Sequence, residues 1–108
     1  MDQSYEDMIA SIRANSHTID SLLETLTQWK KEGVPGDTVV VMSKDAEGNG
    51  FSPLSRQQGV TAGMYAPDST WSGDHFMDEA YRRSLPDADE YEPAPKESIP
   101  AAFLWPTN

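Results

Sequence analysis

The chain has 108 residues, 18 acidic against 8 basic, and a net charge of -10, the size of one ordinary domain. This balance argues against a nucleic-acid binder, whose phosphate contacts need clustered Lys and Arg, and disfavours an anionic membrane surface. Cysteine is absent, which removes disulfides, thiolate metal sites and cysteine nucleophiles together. No apolar run approaches the roughly 18 residues of a spanning helix, and the acidic start does not read as a signal peptide, so a soluble cytoplasmic protein is expected.

Ile, Leu, Val and Phe together make up 18 of the 108 residues, few enough, at this net charge, to make independent folding marginal. Three Trp, four Tyr and five Met partly compensate through the large apolar area of their side chains. A small aromatic core, completed by ordered loops or by a partner, is expected.

In chain order, Ser4 can cap a first helix with Tyr5, Met8, Ile9 and Ile12 on one face. A second helix is predicted from Ser16 or Thr18. Its stripe is Ile19, Leu22, Leu23, Leu26 and Trp29, with Lys30 and Lys31 in the last turn and Gly33 and Pro35 as the stop. Thr38 to Ser43 reads as a strand covered on both faces. Lys44 to Gly50 then reverses the chain, and Phe51 to Leu54 returns beside that strand. Gly59 to Tyr65 alternates loosely as a further strand. Asp74 is read as the cap of a short helix ending in Arg82 and Arg83, and Pro86 to Pro95 as an exposed acidic loop. The apolar run Ile99 to Pro106 is expected to form a final strand beside Val39 to Met42.

The fold class implied is α+β. One or two N-terminal helices pack on a small, mostly antiparallel sheet of three or four strands, with a long irregular insertion. The whole is read as a single domain, divided into a helical region 1–33, a hairpin 37–54, a loop-rich insertion 55–98 and a C-terminal strand 99–106. The expected core is Ile19, Leu22, Leu23, Leu26, Trp29, Val39, Val41, Phe103 and Trp105.

The helix opening at Thr18-Ile19-Asp20, the strand Thr38 to Val41, the turn Asp45-Ala46-Glu47-Gly48-Asn49, Ser52-Pro53-Leu54 and the ending Leu104-Trp105-Pro106 carry a resemblance. Over residues 18–54 and 99–106 the chain resembles a family of small, uncharacterised accessory proteins encoded by tailed bacteriophages. The resemblance implies a non-structural protein acting in the cytoplasm of a bacterial host. It implies no activity and no site residues.

Four patterns are candidates for chemistry. Asp45, Glu47 and Asn49 alternate oxygen donors before Gly50 like the first half of a calcium loop. The closing position of a loop of roughly twelve residues is Arg56, however, so only weak calcium or magnesium affinity is expected. The competing reading is a turn in which Asp45 and Asn49 bond their own backbone. Asp74, His75, Asp78 and Glu79 can make a small carboxylate–histidine site, though acids at a helix start also complement its dipole. No nucleophile elbow or phosphate loop is present, and exposed acid pairs make poor general acids, so no enzyme and no catalytic residue is expected.

The third pattern is acidic. Between residues 74 and 92 seven carboxylates (Asp74, Asp78, Glu79, Asp87, Asp89, Glu90 and Glu92) stand against Arg82 and Arg83. The fourth is aromatic, including Tyr65 and Trp71, residue types enriched at protein interfaces. Together they suggest a phage accessory protein that binds and inhibits a host macromolecule, a defence or transcription component, by occlusion. Two alternatives stay open. One is a protein that sequesters a small nucleotide signal between protomers of a homodimer; the other is a divalent-metal module at Asp45–Gly50. No direct nucleic-acid partner and no membrane partner are expected.

Overall fold

The computed structural model describes residues 3–107, with side chains from Ser4 onward. Two helices open the chain, α1 (Gln3–Asn15) and α2 (Ile19–Lys31). Five strands follow: β1 (Val41–Ser43), β2 (Phe51–Pro53), β3 (Val60–Pro67), β4 (Gly73–Met77) and β5 (Ile99–Leu104). Between β4 and β5 lie α3 (Glu79–Ser84) and a 3₁₀ turn at Ala88–Glu90. This is the expected α+β class, with the strands divided between two small sheets.

The chain separates into two compact units, one of residues 1–16 and 62–102, the other of residues 17–61 and 103–108. In the first unit α1 turns Tyr5, Met8, Ile9 and Ile12 to its half-buried side, the face its spacing predicts. The Tyr5 hydroxyl donates to the Glu97 carbonyl at 2.5 Å, joining α1 to the segment before β5. β3 and β4 pair antiparallel, with Gly63 opposite Met77, Tyr65 opposite His75 and Pro67 opposite Gly73.

In the second unit α2 starts where a cap is available. Thr18 Oγ1 accepts from Ser21 N at 3.1 Å, and Ser21 Oγ accepts from Thr18 N at 2.8 Å. Each side chain thereby satisfies an amide that the first turn leaves unpaired. The helix ends at Gly33, whose φ of 109° suits the residue without a Cβ. β1 and β2 form an antiparallel hairpin with Met42 opposite Ser52. The tail lies beside β2, where Leu54 bridges to Pro106 and Thr107 N donates to Pro53 O at 3.0 Å. Ser52, which is buried, shares a 2.7 Å hydroxyl contact with Thr107.

Four expectations are corrected. The last strand does not lie beside β1: β5 adjoins β3 in a three-stranded sheet of order β4-β3-β5. The strand expected from Thr38 begins only at Val41, because Thr38 N and Oγ1 both bond Pro35 O, at 3.2 and 2.7 Å, and hold the chain in a turn. The cap of α3 is Asp78, which accepts from Tyr81 N at 3.2 Å, while Asp74 lies in β4 opposite Ala66. The expected core does not form: among the described residues no hydrophobic side chain is fully buried. In α2 it is Ser21 and Thr25 that are half-buried, while the apolar stripe is open to solvent to a degree that runs from 36% at Leu22 to 72% at Ile19.

Candidate functional site

The two units divide the candidate residues. Asp45, Glu47, Asn49 and Arg56 belong to the second unit, and every other candidate belongs to the first.

The Asp45 loop satisfies itself. Asp45 Oδ1 accepts from Glu47 N at 2.9 Å and from Asn49 N at 3.1 Å. Asn49 Nδ2 donates to Glu47 Oε2 at 3.3 Å, and Ser43 Oγ donates to the Asp45 carbonyl. Gly48, with φ of 73°, supplies the left-handed residue that the reversal needs. These amides, with Asn49 foremost, lower the Asp45 pKa below its ordinary value, since they favour the charged form. This is the self-bonded turn, and among the described residues no three His, Cys, Asp or Glu side chains converge as a metal site.

In the first unit Arg82 pairs with Glu79. Its Nη2 donates to Glu79 Oε1 at 2.6 Å and its Nε to Glu79 Oε2 at 3.0 Å. Arg83 Nε reaches the same Oε1 at 2.9 Å. Arg82 Nη1 donates onward to the Ala88 carbonyl at 3.0 Å, so one guanidinium ties α3 to the 3₁₀ turn that carries Asp89 and Glu90. Glu79 and Arg82 are therefore scaffold. The paired arginines, Arg82 above all, hold the Glu79 pKa down at about 2. Asp74, Asp87, Asp89, Glu90 and Glu92 stay exposed, as does the cap Asp78.

Asp74 and His75 sit on successive positions of β4 and therefore point to opposite faces of the strand, which separates two members of the expected carboxylate–histidine cluster. Tyr65 lies opposite His75 on β3 and is half-buried.

Trp71 stands at the tip of the β3–β4 hairpin and is 92% exposed. Hydrogen bonds cross the loop beneath it. Asp68 N donates to Ser72 O at 3.0 Å, and Ser69 Oγ accepts from both Trp71 N and Ser72 N at 3.1 Å. Ser72 Oγ donates to Asp68 Oδ1 at 2.6 Å. Asp68, Ser69 and Ser72 were not singled out from the sequence. The signal that could have found them is Asp-Ser-Thr-Trp-Ser, a cluster of turn-forming residues around one aromatic.

No family model, no curated protein and no solved structure matches this chain. Among the described residues no helix is long and apolar enough to cross a membrane.

Proposed function

We propose that this chain is a non-enzymatic accessory protein that binds a host protein and inhibits it by occlusion, using the acidic and aromatic surface of its first unit. One observation carries the reading: Trp71 is held out on a hairpin tip whose backbone and side chains are bonded to one another. Exposing an indole costs about 2–3 kcal/mol relative to burying it, and a pre-bonded loop has little ordering entropy left to lose on docking. Trp is also the residue type most enriched among interface anchors.

Charge defines the partner. The first unit has twelve carboxylates against four cations, a net charge of -8. Its complement is an apolar pocket in a basic surface, approached under electrostatic steering. The resemblance to tailed-phage accessory proteins supports a bacterial host cytoplasm as the setting.

The test compares capture from host lysate by the tagged wild-type chain and by Trp71→Ala. A host protein retained at stoichiometric level by the wild type, lost with Trp71→Ala and released as salt rises supports the reading. Equal retention by both chains, or retention indifferent to salt, contradicts it.

A further inference from the structure

The second unit differs from the first in both charge and apolarity. It has six carboxylates against four cations, a net charge of only -2. It also holds thirteen of the sixteen large hydrophobic side chains that the described residues expose. These include Ile19 at 72% and Leu23 at 62% on α2, with Trp29, Val39, Val41 and Phe51 also open to solvent.

The chain exposes 8523 Å². By the surface–mass scaling of folded monomers, two separate globules of half this mass would together expose about 7,200 Å². Counted as two separate units, the surplus is at least about 1,300 Å², within the range that each protomer of an obligate dimer buries, about 1,000–2,500 Å².

From this surplus and from the charge order along α2, we infer that the apolar face of the second unit is covered by a second copy of this chain, the two α2 helices packing antiparallel about a two-fold axis. Acids occupy the first half of α2 (Asp20 and Glu24), and Lys30 and Lys31 occupy the last turn. At helical spacing Asp20 and Lys31 lie on the same flank of the apolar stripe. In an antiparallel pair matching flanks face each other, so each Asp20 meets the partner's Lys31 and the helix dipoles oppose. A parallel pair would set like charges level with one another. The near-neutral charge of this unit leaves little repulsion to overcome. This dimer is independent of Trp71, which belongs to the first unit.

Sedimentation equilibrium of the full chain at micromolar concentrations tests the assignment. The expected mass is twice the 12.0 kDa of one chain, and Leu23→Asp is expected to sediment as a monomer. Because a dimer-dependent fold can be lost along with the dimer, a second pair of variants keeps the stripe intact. Asp20→Lys is expected to weaken dimerisation about tenfold through two symmetric like-charge contacts. Adding Lys31→Asp is expected to restore it. A wild-type chain at 12.0 kDa throughout, a Leu23→Asp chain that still dimerises, or a double variant no better than Asp20→Lys would each overturn the inference.

Discussion

Arg82 grips Glu79 with two donors, Nη2 on Oε1 at 2.6 Å and Nε on Oε2 at 3.0 Å. This planar fork matches a carboxylate in a way that a lysine cannot. Because Nη1 also reaches the Ala88 carbonyl, the pair fixes where the exposed acids of the 3₁₀ turn stand.

The pair makes the first unit sensitive to acid. The Glu79 pKa is lowered from 4.5 in the unfolded chain to about 2 in the folded one. Its stabilising contribution is therefore fully present above pH 4.5 and is lost as pH falls through about 2, where the carboxylate takes up a proton. Glu79→Gln is expected to flatten this acid limb in thermal melts followed by circular dichroism between those two values. Arg82→Ala is expected to speed proteolysis within residues 86–95 several-fold, with Arg82→Lys rescuing only in part. A Glu79→Gln melt with the wild-type dependence on pH would show that the acid limb arises elsewhere.

The hairpin that presents Trp71 depends on one glycine. A Cβ at Gly73 would lie 2.6 Å from Ala66 O and from Pro67 Cα, both backbone atoms that cannot step aside. Gly73→Ala is expected to cost about 1–3 kcal/mol through this overpacking, read from denaturant unfolding. Loss of amide protection in β4 is expected with it. Unchanged stability would mean that the close approach of β3 and β4 is relaxed in solution.

For the Asp45 loop the expected result is a turn that ignores metal. Asp45→Ala frees the Glu47 and Asn49 amides and is expected to lower the melting temperature equally in calcium and in chelator. A melting rise with calcium that Asp45→Ala removes would contradict this and support the metal reading.

What the sequence made legible was local. Thr18 and Gly33 bound α2 because a cap and a left-handed stop are properties of neighbouring residues. Asp45, Gly48 and Asn49 likewise announce their own turn. Asp74, expected as the cap of the helix ending in Arg82 and Arg83, lies in β4 instead, since Phe76 and Met77 fit a helical stripe as readily as a strand. The partner of β5 was beyond reach, because pairing with β3 or with β1 is decided by contacts far apart in the chain. The α2 stripe was read correctly as apolar, but amphipathicity says only that a face needs covering. It does not say whether the chain itself covers it. The bonding beneath Trp71 is local too, carried by turn-forming residues two to four positions apart, a signal that reading Trp71 only as an aromatic passes over.

The most direct test of the central claim is native mass spectrometry of the tagged chain recovered from host lysate at low salt, beside its Trp71→Ala variant. A complex with one host protein in fixed ratio, present for the wild type and absent for the variant, is the predicted result. A wild-type chain carrying only a small-molecule or metal-ion increment, or a host protein bound equally by the variant, would contradict it.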